Sequence, residues 1–152
     1  MKFGFDVHGV LDTHNEVYST ITSALVAAGH EVHVITGAIQ TPELTETLKL
    51  AGMSFTHWFS IAQYHIDKGD SEVKFVDGEP WMEDEVWNET KAQYCHEEGI
   101  RLLIDDSPVY GKYFDEKNST IYLLQKDPRR PDFWDRMAEL LPRFRDRPEE
   151  AA

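Results

Sequence analysis

Residues 2–13 read KFGFDVHGVLDT, and the fold of the chain turns on how this stretch is read. Phe3, Phe5 and Val7 make an apolar run that ends in a carboxylate, Asp6, and then bends through Gly9. A strand buried on both faces of a parallel sheet has this look, and its carboxyl end is where such a sheet presents reactive side chains. Asp6 is therefore the first candidate for chemistry.

Two other runs end in the same manner. Glu31 to Ile35 (EVHVI) leads into Thr36-Gly37, and Arg101 to Ile104 (RLLI) leads into Asp105-Asp106-Ser107-Pro108. In a parallel sheet the carboxyl ends of neighbouring strands open onto one crevice. Three polar tips separated by helical segments thus predict one shared site holding Asp6, Thr36 and Asp106.

The connecting segments fit that layout. Val17 to Ala28 carries Val17, Ile21, Leu25 and Ala28 at helical spacing, and Gly29 stops it. Thr41-Pro42-Glu43 opens a second helix that runs to about Ala51, with a hydroxyl cap, a proline in the first position and an acid near the positive end of the dipole. Ser54 to Ile61, rich in aromatic and hydroxyl residues, reads as the third strand. Gln63 to Pro80 is irregular; turn signals around Val73 to Val76 suggest either a small hairpin over the crevice or a surface excursion. In Trp81 to Glu98, Asn88 is a candidate cap for a helix from Glu89, which would put Lys91 in its first turn. Ser107 to Asn118 reads as a loop with one helical turn, Thr120 to Leu124 as the fifth strand, and Pro131 to Leu141 as an amphipathic closing helix.

The expectation is a three-layer, Rossmann-like α/β domain over residues 1–141, with parallel strand order 3-2-1-4-5, helices on both faces and a charged tail at 142–152. The 152 residues suffice to bury roughly 70% of the unfolded surface without staples. Cys95 stands alone, so no intrachain disulfide forms, and no apolar run approaches the roughly 20 residues of a membrane span. The start of the chain has no signal-peptide pattern, and the expected location is cytoplasmic. A net charge of −13 opposes binding to long nucleic acids. It is compatible with a small phosphorylated substrate if a divalent cation offsets the local carboxylates. Six of the seven arginines lie beyond residue 128, as a solvated helix face or a patch for an acidic partner.

DVHGVLD at Asp6 to Asp12 resembles the first motif of the haloacid dehalogenase-like hydrolases, usually DxDGV or DxDGT. Ile35-Thr36-Gly37 resembles their second motif, Lys91 their third, and Ile104-Asp105-Asp106-Ser107-Pro108 their acidic fourth. The likeness runs from Phe3 to about Leu124 with the motifs in family order, and is nearest to capless and nucleotidase-like members. It implies a magnesium-dependent phosphomonoester hydrolase acting through an aspartyl-phosphate on Asp6, with a nucleotide or similar small metabolite as substrate. It also implies magnesium ligands at Asp6, the main-chain carbonyl of His8 and Asp106. Thr36, Gly37 and Lys91 would bind the phosphoryl group, and Asp105 would orient the site by pairing with Lys91.

The residue types suit that chemistry independently of the name. A carboxylate attacking phosphorus splits one displacement into two easier ones. Attack by an anion on an anion needs donors and positive charge where oxygen charge develops, which a hydroxyl and an ammonium supply. Magnesium is typically held by one or two carboxylates plus substrate oxygens.

His8 departs from the pattern, since the family's phosphatases usually carry aspartate there as the acid and base. Imidazole, with an ordinary pKa near 6.5, can both give and take a proton around neutrality. The alternatives are a weakened or non-catalytic regulatory domain that keeps the metal and phosphate pocket, or a reaction other than phosphate hydrolysis. Lys68 and Lys74 compete with Lys91, and Asp12 and His14 are the nearest substitutes for His8 as proton carriers. Trp58, Tyr64, Trp81 and Trp87 are either core or base-stacking residues. The seven histidines show no zinc-ligand spacing. A receiver domain also gathers Asp, Thr and Lys at strand ends, but in a different chain order.

Overall fold

Five of the apolar runs pair side by side in the computed structural model, which describes residues 1–69, 73–115, 117–127 and 129. The strands are β1 (Lys2–Phe5), β2 (Glu31–Thr36), β3 (His57–Ser60), β4 (Lys74–Val76), β5 (Glu79–Trp81), β6 (Leu102–Asp105) and β7 (Ile121–Leu124). Five of them form one sheet in the order β3-β2-β1-β6-β7, parallel throughout. β4 and β5 form a separate antiparallel hairpin. The expected order 3-2-1-4-5 left the hairpin out of the count; its two strands come between the third and the last two members of the sheet, so the order differs as numbered.

The helices are α1 (Asn15–Ala27), α2 (Pro42–Leu50), α3 (Ile61–Asp67) and α4 (Asp84–Glu98). Alternate side chains of the sheet feed two cores. On one face Phe5, Val32 and Val34 meet Tyr18 of α1 and Leu48 of α2. On the other, Ile35 and Leu103 meet Cys95 of α4 and Ile100. A sheet buried on both faces explains why its strands read as near-continuous apolar runs. Gly4 lies between these side chains: a Cβ there would stand 2.6 Å from the Ile35 side chain and 3.1 Å from that of Leu103.

Several boundaries differ from the sequence reading. α1 buries Tyr18 and Thr22, whereas Val17 and Ile21 are exposed. The helix is turned by one residue because the Tyr18 ring packs edge-on against Phe5 and the Thr22 hydroxyl accepts from the Ser54 amide. Residues after Ile61 form α3, capped by Ser60, whose hydroxyl accepts from the Gln63 amide. The strand before it is correspondingly shorter than Ser54 to Ile61. α2 starts as expected, with Thr41 accepting from Leu44 N and Pro42 in the first turn, a cap worth about 1 kcal/mol. α4 begins at Asp84, with no break at Asn88, so Lys91 sits in its third turn. Acidic Asp84 and Glu85 at the positive end of the dipole make that earlier start favourable. The expected closing helix at Pro131 to Leu141, the tail at 142–152 and five of the six clustered arginines lie outside the described residues. Among the described residues no helix is long and apolar enough to cross a membrane.

Candidate active site

Asp6 leaves β1 with its amide still bonded to the Ile104 carbonyl, so the sheet fixes its backbone. Its Oδ1 accepts from the Val7 amide at 2.8 Å, capping the turn Val7–Leu11. That turn is broken by His8 in an extended conformation and Gly9 at φ +83°. Only glycine fits at position 9: a Cβ would stand 2.3 Å from Cγ of Asp106 and 2.4 Å from its Oδ2. The close approach of the turn to Asp106 therefore depends on Gly9.

The turn is tied down from outside. Gly9 N donates to Asp12 Oδ1 at 2.8 Å, and Gln125 Nε2 donates to Gly9 O at 2.8 Å. Gln125 also receives the Tyr18 hydroxyl and donates to Thr13, while Arg129 joins Asp12 to Asp127. The straps from Gln125 and from Arg129 to Asp12 were not legible in the sequence, because they join residues more than a hundred positions apart.

Lys91 is fully buried. Its Nζ lies 2.6 Å from Asp105 Oδ2 and 3.2 Å from Asp6 Oδ2, and 4.3 Å from the centre of the Tyr110 ring. Asp105 is fully committed, since its Oδ1 accepts from Ser107 N at 2.8 Å. It thereby positions Lys91 beside Asp6. Asp106, the next residue, is also buried, and one carboxylate oxygen from each of Asp6, Asp105 and Asp106 lies within 4.8 Å of the others.

Burial costs each of these charges heavily unless it is paired. Burial alone tends to lower the Lys91 pKa, but the Asp105 and Asp6 carboxylates outweigh it and hold the ammonium protonated. Two of the three carboxylates share the one ammonium of Lys91. Lys91 gives its shorter contact to Asp105, and burial raises the Asp6 pKa to about 7, opposed by Lys91 and reinforced by Asp105.

The cleft above this group has a volume of about 540 Å³. Asp6, His8, Thr36, Gly37 and Asp106 line it, as expected from the strand ends, together with Trp87, Asn88 and Tyr110. Thr36 is buried at the end of β2, and its Oγ1 accepts from the Ala38 amide at 3.3 Å. A Cβ at Gly37 would meet the Trp87 ring at 3.0 Å, so the small residue lets the indole close over the strand tip. Trp87 Nε1 donates to the Tyr110 hydroxyl at 3.3 Å, making one aromatic wall. Asn88 faces the cleft instead of capping a helix. Tyr110 follows β6 on the loop that the carboxyl-end rule places at the crevice, but residue type alone gave no reason to choose it.

Other candidates are not brought in. Lys68 and Lys74 are exposed and do not line the cleft. Asp12 and His14 do not line it either, and Asp12 is occupied by Gly9 and Arg129. The hairpin exists, but none of its described residues contributes to the cleft. Trp58 and Tyr64 pack in aromatic clusters away from it, and Trp81 lies on the hairpin. Compared with protein-family models and with curated protein sequences, the chain matches none.

Proposed function

We propose that the protein is a magnesium-dependent phosphomonoester hydrolase of the haloacid dehalogenase-like kind, with Asp6 as nucleophile. The observation that carries this reading is a cluster of three buried carboxylates, two of them paired with the Lys91 ammonium, beneath a cleft that Asp6 and Asp106 line. The donor set fits magnesium: Asp6, Asp106 and the His8 carbonyl are hard oxygen ligands, and a carboxylate oxygen of Asp6 lies within 4.8 Å of one of Asp106. When bound, the ion would offset negative charge on the carboxylates and on the phosphoryl oxygens.

The protein's own residues account for the rest. Asp6 attacks phosphorus, forming an O–P bond as the bond to the leaving oxygen breaks, and the leaving oxygen takes a proton from the His8 imidazolium. Neutral His8 then removes a proton from water, which attacks phosphorus, breaks the bond to Asp6 and restores the carboxylate. Thr36 donates its hydroxyl to a phosphoryl oxygen and Lys91 supplies fixed charge beside the nucleophile. His8 is exposed at the cleft lining, compatible with exchanging protons with solvent. The aromatic wall of Trp87 and Tyr110 supports a small substrate with a flat group, such as a nucleotide.

Asp6→Asn tests the nucleophile. The amide is isosteric, and Lys91 retains Asp105, so the variant should fold and fail to hydrolyse an aryl phosphate with magnesium. The parent, quenched during turnover, should carry a hydroxylamine-labile phosphoryl group on the Asp6 peptide. Turnover by a homogeneous Asp6→Asn protein contradicts the assignment. A parent that binds magnesium and phosphate without turnover favours the regulatory alternative.

A further inference from the structure

A second cluster of ligating side chains lies on the α4 face of the sheet, at the opposite end from the cleft. His33 and His57 are register partners on the adjacent strands β2 and β3, and Glu31 lies two residues before His33, on the same face. His33 Nε2 is 3.2 Å from Glu31 Oε2, and His57 Nδ1 is 3.8 Å from the same oxygen. One ligand atom from each residue lies within 4.8 Å of the others. Thr36, the cleft residue of β2, is three positions further along the strand, about 10 Å away.

We propose that Glu31, His33 and His57 form a binding site for a zinc-class divalent ion, distinct from the cleft. Two imidazoles and one carboxylate suit zinc, whereas magnesium prefers oxygen ligands throughout. Three protein ligands leave a fourth tetrahedral position to water. This composition was invisible to ligand spacing because Glu31 and His33 are joined to His57 by strand pairing.

The surroundings are built for ligation. His33 is fully buried, and its Nδ1 lies 2.8 Å from the Tyr94 hydroxyl. A metal-bound histidine needs its other ring nitrogen to donate a hydrogen bond. The Tyr94 oxygen both donates and accepts, so His33 can move its proton to Nδ1 and offer Nε2 as a lone pair without losing that contact. Burial also lowers the His33 pKa, favouring the neutral ring. The rings of His33 and His57 stack at 4.3 Å and 13°, so His57 must turn to share an ion with His33. It can, being half exposed. His57 Nδ1 lies 2.9 Å from the Thr56 hydroxyl, which keeps both its bonds to the Val32 backbone when the ring turns away. Lys2 lies 3.5 Å from Glu31 but 2.9 Å from Glu98, so it can remain with Glu98 while Glu31 takes the ion.

The experiment is a titration of the double variant Asp6→Asn, Asp106→Asn, which blanks the cleft, with Zn²⁺ by calorimetry and with Co²⁺ by visible absorption. One ion per chain and a tetrahedral cobalt spectrum are expected, both lost when His57→Ala or Glu31→Gln is added. Tyr94→Phe should weaken binding about 10- to 100-fold while keeping the stoichiometry. His57 and Glu31 are partly exposed, so these variants should fold even where His33→Ala does not. No binding to the cleft-blanked protein, or binding unchanged by either His57→Ala or Glu31→Gln, overturns the site.

Discussion

Replacing Lys91 with methionine isolates the charge at the centre of the site, because the apolar stem is nearly kept and only the ammonium is lost. Lys91 and Asp105 are both fully buried, 2.6 Å apart. Removing one partner of such a pair typically costs about 3–5 kcal/mol, because the other charge is left buried and unpaired. For a chain of this size each kcal/mol lowers the melting temperature by about 2–4 °C, so the expected loss is roughly 6–20 °C. The deficit should also depend on pH. Lys91 lowers the Asp6 pKa, so its loss raises a value already near 7. A carboxyl whose pKa is raised on folding is cheapest when protonated, and the folded state loses stability as pH rises through its pKa. Urea denaturation of parent and variant without metal should therefore show a gap that widens as pH rises above about 7, where Asp6 has ionised in the parent but not yet in the variant. Lys91→Met combined with Asp105→Leu should be more stable than Lys91→Met alone, since it removes the stranded charge. A gap under about 1 kcal/mol, or one that does not change with pH, would refute the reasoning from burial and pairing.

The same electrostatics govern the metal. Because the Asp6 pKa is raised to about 7, the metal-free fold loses stability between pH 3.8 and 7. Magnesium must displace that proton, so affinity should rise by up to about tenfold per pH unit below 7 and level off above; calorimetry that finds no pH dependence contradicts this. His8→Ala should lower turnover of alkyl phosphates about 10²- to 10⁴-fold, the usual weight of general acid–base catalysis. It should leave magnesium-induced stabilisation intact, since only the main-chain carbonyl is assigned to the ion; undiminished turnover removes His8 from the proton path. Gly9→Ala combines a left-handed backbone cost of about 1–2 kcal/mol with overpacking of about 1–3 kcal/mol against Asp106. Thermal melts should show both the instability and a loss of the magnesium response.

What was legible from residues alone was local. Each apolar run that ends in a polar residue, Phe3 to Asp6, Val32 to Thr36 and Leu102 to Asp106, is a strand followed by a tip at the cleft. Burial on both faces of a parallel sheet imposes that pattern on the sequence itself, and the caps at Thr41 and Gly29 act within one turn. Asp6, Thr36 and Asp106 could therefore be assigned to one crevice before any coordinates. Tertiary packing decided whatever depends on the direction a side chain faces. The Tyr18 ring against Phe5 set the buried side of α1, and the acidic first turn of α4 carried Lys91 to the third turn, where it reaches both Asp6 and Asp105. Tyr110 over Lys91, Gln125 on Gly9, and the meeting of Glu31, His33 and His57 are likewise contacts across strands and loops. No spacing along the chain encodes them, because they arise only when the sheet brings distant residues into register.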